Sequence, residues 1–146
     1  RAGRTADGPQ ARVIVQSMHP DNPAVLHAAA HEWDRFAEHE LAMRAGAGLP
    51  PLKRMARIVF RDRDLDTAMA MANAAAQALS NTNEEIELLG PAPCPMARID
   101  DRHRIGLEVL ADTPGTLGRA LAKARVAGGL KPGEKVIIDV DPTTLL

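Results

Sequence analysis

Aromatic side chains are almost missing: there is no tyrosine, one tryptophan and two phenylalanines in 146 residues. Any core must therefore be aliphatic, and an open sheet that stacks bases on aromatics is not expected. There is a single cysteine, Cys94, which excludes an intrachain disulfide framework and a cysteine-rich zinc site. Cys94 stands between two prolines with no activating neighbour. Charge of one sign is also missing: the formal net charge is -1 and the pI is about 6.6. Uniform attraction to nucleic acid is not indicated, so any such contact must use a local patch. No apolar run approaches the roughly 20 residues of a membrane helix. The Arg-containing start has no apolar segment of the secretory type. These absences fit a reducing cytoplasm. No initiator methionine begins the chain, so a fragment of a longer protein is expected.

What is present centres on Ile86 to Ala111. The apolar run Ile86 to Leu89 meets Gly90 and three alternating prolines, Pro91, Pro93 and Pro95. Proline has no backbone donor, so the sheet ladder is expected to stop there. A polar tip, Arg98 to Arg104, follows. Ile105, Leu107 and Val109 then alternate with other residues, the period of a half-buried strand. Two strands joined by a stiffened, charged loop are expected.

Units of strand and helix flank this pair. Met55 to Arg61 reads as a strand, with Ala56, Ile58 and Phe60 on one face and Arg57, Val59 and Arg61 on the other. Asp64 can cap the next helix, whose stripe is Leu65, Ala68, Met69, Ala72, Ala76 and Leu79. Ser80 to Asn83 ends it. Thr113-Pro114 opens another helix, with Leu117, Ala120, Leu121 and Ala124 inward, stopped by Gly128-Gly129. Val136 to Val140 is the last strand. The order strand, helix, strand, strand, helix, strand predicts an α+β, ferredoxin-like βαββαβ domain: a four-stranded antiparallel sheet with both helices on one face. Its first and third strands should be central. Upstream, Ala11 to Gln16 reads as a strand with no partner. Asn22-Pro23 opens a long helix, Ala24 to Ala45, of about 30 Å. Gly46 and Gly48 end it, and Leu49 to Leu52 is an extended linker.

Several segments in this order match a known family. They are Arg1-Ala-Gly-Arg4; Val13-Ile-Val-Gln16; His19-Pro20 with Pro23-Ala24; Leu49-Pro50-Pro51; Leu89-Gly90-Pro91-Ala92-Pro93; Arg102-His103-Arg104; and Ile138-Asp139-Val140-Asp141-Pro142. Together they resemble the C-terminal end of the primosomal protein N-prime (PriA) family of superfamily 2 replication-restart helicases. The resemblance covers essentially the whole chain. It implies a three-part division: residues 1–18 as the end of a helicase lobe, 19–51 as a connecting helix and Pro-rich linker, and 52–146 as an S10-like C-terminal domain. It implies a parent that is an ATP-dependent 3′-to-5′ DNA helicase using ATP, magnesium and zinc. Such a parent recognises stalled forks and D-loops and initiates primosome assembly. The implied partners are branched or forked DNA, the C-terminal tail of single-stranded DNA-binding protein, other primosomal proteins and the rest of the helicase core, with no membrane. Arg1 and Arg4 match the last helicase motif, whose arginines face the γ-phosphate in the intact parent. The chain itself holds no Gly-x-x-x-x-Gly-Lys-Ser/Thr and no Cys-x-x-Cys, so it is expected to be non-catalytic and to carry no cofactor.

The candidate DNA- or partner-binding residues are Arg98, Arg102, His103 and Arg104 at the tip, opposed only by Asp100 and Asp101. Lys53, Arg54, Arg57 and Arg61 are candidates to extend the patch. Arginine grips phosphate or carboxylate bidentately. The matching family stretch is usually Gly-Arg-Tyr-Arg; here Asp101 takes the glycine position and His103 the aromatic one. The competing reading of the tip is a solvated hairpin end. His27 and His31 stand four apart, as metal ligands can, but the His-Glu-x-x-His pattern fails at Arg35 and no metal is expected. Trp33 and Phe36 read as the helix's anchor on the sheet domain or on a missing lobe. Asp139 and Asp141 read as turn or helix caps. Two further readings compete for the whole chain. One is a free-standing ferredoxin-like regulatory module or enzyme acting on a small molecule. The other is a scaffold that dimerises through the orphan strand.

Overall fold

The computed structural model describes residues 13–143 and separates two compact units, Arg1–Met43 and Arg44–Leu146. Arg1 and Arg4 lie outside the described residues. So do the first two residues of the expected upstream strand; Val13 to Gln16 are exposed and form no strand. A lone strand has no ladder to satisfy its backbone groups.

The first unit corrects the expectation of one long helix. Asn22 caps α1 (Pro23–Ala30), its side chain accepting the Ala24 N–H at 2.9 Å. The helix stops at His31, whose φ is 58°. The His31 N–H donates to Ala28 O and the Glu32 N–H to His27 O, which closes a left-handed terminal turn. Histidine is among the residues that tolerate this conformation. Helix α2 (Trp33–Gly46) follows after Glu32, and neither helix has a buried residue. Without burial, the apolar stripe has little to keep it continuous. Trp33, the expected anchor, is 73% exposed and tilts against Phe36 with ring centroids 5.7 Å apart. At the far end of α2, Gly48 adopts φ 61° and terminates the helix as glycine should.

The second unit is the expected α+β domain. Its elements are β1 (Arg54–Asp62), α3 (Leu65–Ser80), β2 (Ile86–Ile99), β3 (Arg102–Ala111), α4 (Pro114–Val126) and β4 (Val136–Val140). The strands lie in the order β2-β3-β1-β4 and every pairing is antiparallel, so β1 and β3 are central. The side chains of Asp64 and Thr113 accept the N–H groups of Thr67 and Thr116, capping α3 and α4. Ala68, Ala72 and Ala75 are fully buried and let α3 lie close to the sheet. Leu117, Ala120, Leu121 and Ala124 of α4 join Ile58, Phe60, Ile105 and Leu107 in one hydrophobic core, aliphatic except for Phe60.

Two expectations about the sheet need correction. The prolines do not end the ladder: β2 runs from Ile86 to Ile99, with register shifts between Leu89 and Ala92 and between Pro93 and Arg98. Proline is tolerated because β2 is an edge strand and the shifts take up the unpaired positions. Nor is the face away from the helices open. Arg57 and Val59 are 4% and 7% exposed. Cys94 of the bulged strand is buried beside Gly106, where a Cβ would lie 3.4 Å from its Sγ. Arg57 Nε faces Glu108 Oε1 at 3.7 Å, an ion-pair distance too long for a hydrogen bond, and its buried Nε and Nη1 have no hydrogen-bond partner among the described residues.

Candidate functional site

The end of the sheet where β2 turns into β3 gathers most of the sequence candidates. The β2–β3 register places Arg98 opposite His103 and Ile99 opposite Arg102. The β1–β3 register places Arg61 opposite Arg104 and Asp62 opposite His103. Asp100 and Asp101 make the turn, with φ of 49° and 60°. A two-residue hairpin turn of this kind needs positive φ at both central positions, which aspartate accepts better than most residues. Backbone geometry thus accounts for the acidic pair at a basic tip, and for an aspartate standing where the resembling family has glycine.

Pairing at the tip differs from the expectation that only Asp100 and Asp101 oppose the arginines. Arg98 pairs with Asp101. Arg102 Nη2 donates to Glu134 Oε1 at 2.5 Å, and Arg104 Nη1 donates to Met96 O at 3.1 Å. Arg102 and Arg104 are therefore engaged, not extended into solvent. These contacts are exposed, and exposed ion pairs such as those of Arg98 and Arg102 are weak and screened by salt.

The topology adds residues that sequence reasoning missed. The end of β1 lies beside the start of β4, which brings in Arg63, Glu134 and Lys135. Asp62, Arg63, Arg102, Glu134 and Lys135 line a cleft of about 260 Å³. Lys135 Nζ lies 2.6 Å from Asp62 Oδ2, and Arg61 Nη2 donates to the Glu134 carbonyl at 2.6 Å. The hydrogen bond from Arg102 holds the Glu134 carboxyl below the ordinary carboxylate range. The Asp62 carboxyl is lowered too, first by Lys135 and then by the Asp64 N–H. Six permanent cations (Arg61, Arg63, Arg98, Arg102, Arg104 and Lys135) meet four carboxylates here. The one signal for the missed residues was topological: antiparallel pairing of the first and last strands must juxtapose Arg61-Asp62-Arg63 with Glu134-Lys135.

Lys53 and Arg54 are not brought to this patch. Arg54 begins β1 at its opposite end, eight residues or about 27 Å from Asp62, and Lys53 immediately precedes it. Lys53 pairs with Glu87 at 3.0 Å, and Arg54 pairs with Asp141. Arg57 is buried midway along the strand. In the first unit, His27 lies 3.2 Å from Glu32 and 6.4 Å, ring to ring, from His39. His27 and Glu32 border an apolar pocket of about 310 Å³ with Ala24, Ala28, Trp33 and Phe36. Among the described residues no group of three His, Cys, Asp or Glu could hold a metal, and no helix is long and apolar enough to cross a membrane.

Comparison with known proteins places this geometry in context. The family model described as Primosomal protein N C-terminal domain matches residues 45–143. A replication restart protein PriA of Treponema pallidum (strain Nichols) is 33% identical over 149 residues, covering 100% of this chain and 22% of that protein. One of Haemophilus influenzae is 31% identical, covering 99% of this chain and 20% of that protein. One of Borreliella burgdorferi is 25% identical over 92% of this chain and 20% of that protein. The chain spans about a fifth of the length of these curated relatives.

Proposed function

The chain belongs to the family of the primosomal protein N C-terminal domain, and from that premise we propose that it is the DNA- and partner-binding part of a replication restart protein. The parent is an ATP-dependent 3′-to-5′ DNA helicase of the cytoplasm that recognises stalled forks and D-loops and initiates primosome assembly. ATP, magnesium and zinc belong to parts of that parent outside this chain. The chain contributes binding, not hydrolysis, since its sequence has no phosphate-cradling Gly-Lys-Ser/Thr loop. Arg98, Arg102, His103 and Arg104 meet the sugar-phosphate backbone. The same residues suit the acidic tail of single-stranded DNA-binding protein.

One observation carries the reading: six cations from three strands and their adjoining turns converge at one sheet end in a chain whose net charge is -1. A chain of this overall charge gains nothing from general attraction, so a local cluster is what supports binding. Titration with forked and linear duplexes at several salt concentrations tests it. Preferential fork binding that weakens steeply with salt is expected. The double variant Arg98→Ala with Arg104→Ala should lower the salt slope by about 1 for each phosphate left without its arginine. Equal, salt-insensitive binding by the wild type and the double variant, or no binding, would refute the reading.

A further inference from the structure

The cleft between the end of β1 and the turn before β4 is lined by three cationic side chains, Arg63, Arg102 and Lys135, and two carboxylates, those of Asp62 and Glu134. The contrast within Glu134 is informative. Its carbonyl is fixed by Arg61 at 2.6 Å, so the backbone is tied to β1. Its side chain is 75% exposed and meets Arg102 through a hydrogen bond of 2.5 Å. The carboxylate can therefore leave without moving the strand, and Arg102, 31% exposed, is open to an incoming anion. Lys135 and Asp62, which also line the cleft, pair at 2.6 Å. The Arg63 side chain has no hydrogen-bond or ion-pair partner among the described residues.

We infer that this cleft is a phosphate site whose internal occupant is the Glu134 carboxylate, displaced when a nucleic-acid phosphate takes its place on Arg102. The incoming group also meets Arg63 and Lys135. Such an arrangement makes binding self-limiting: an isolated phosphate must compete with a tethered carboxylate, whereas a junction that supplies several phosphates at once overcomes it. This inference rests on the reading that this sheet end meets DNA. It assigns Arg63 and Lys135 to the contact and gives Glu134 an opposing role.

The test uses the full chain. Glu134→Gln removes the competing charge while leaving a fold in which that side chain is exposed. Its affinity for forked DNA at low salt should rise about two- to fivefold, the range expected for freeing one exposed ion pair. Glu85→Gln removes the same charge near the far end of the sheet and controls for net charge; it should change affinity less. In an Arg102→Ala background, Glu134→Gln should give no further gain. If forked DNA binds but Glu134→Gln equals wild type or the Glu85→Gln control, the inference is overturned while the broader reading stands. A second arm titrates inorganic pyrophosphate and follows the backbone amide signals of Arg63, Arg102 and Lys135 by NMR. Tighter pyrophosphate binding by Glu134→Gln, with no DNA binding by either protein, would support the phosphate site and refute the DNA reading. No response of those amides to pyrophosphate or DNA in Glu134→Gln would overturn the site itself.

Discussion

Glu84 shows how single side chains tie this small domain together. Its side chain is 9% exposed and receives Arg119 at 2.9 Å and Lys123 at 2.7 Å, both from α4. The hydrogen bond from Arg119, then that from Lys123, holds its carboxyl below the ordinary range. Asp64 is also lowered, first by the Thr67 N–H it caps. A carboxylate with a lowered native pKa stabilises the fold above its unfolded pKa of about 4, and that contribution is lost as pH falls through the native value. Stability should therefore be level near neutral pH and decline progressively below about pH 4. Urea midpoints between pH 7 and pH 3 should show this, with a shallower decline in Glu84→Gln. A midpoint constant to pH 3 would contradict it. The caps were legible in the sequence because Asn22, Asp64 and Thr113 each act on a backbone group two or three residues away. The pairing of Glu84 with Arg119, or of Arg102 with Glu134, was not. Those partners are 35 and 32 residues apart, and nothing local records that they meet.

The elements were mostly legible, because period and punctuation agreed. The final strand, Val136 to Val140, has the expected bounds, and the four inward residues of α4 are those its spacing marks. The failures have physical causes. A proline disrupts a strand only where its missing donor is needed, and that depends on which strand is an edge, a tertiary fact. The break at His31 has no glycine or proline to announce it. Gly90, by contrast, is a visible signal with a steric reason. Its φ is 99°, and a Cβ there would lie 2.9 Å from Gly106 O and 3.1 Å from Ala92 N. Gly90→Ala should cost on the order of 1–3 kcal/mol, from the strained backbone alone, read as a lower urea midpoint with unchanged slope. An unaltered midpoint would mean that the bulge does not need glycine.

At the scale of the whole molecule, the buried core cluster among the described residues runs from Ala56 to Val136, and the family match begins at residue 45. The chain Arg44–Leu146 alone should therefore keep its cooperative transition, with a thermal midpoint within about 2 °C of the full chain by calorimetry. A larger drop would show that the first unit stabilises the second. The candidate site was only half legible at this scale. The sequence marked the tip arginines, but their position beside Lys135 and far from Lys53 follows from strand order, which composition does not carry. The run of prolines in β2 has one more consequence. A sheet of four strands has two rims, and this one is asymmetric: the β2 rim is short of donors, while β4 offers five residues of ordinary backbone with Ile137 and Val140 exposed. A foreign strand can extend the sheet along β4 but finds little to grip along β2. Edge-to-edge growth of this molecule should therefore halt at pairs and not propagate into fibrils.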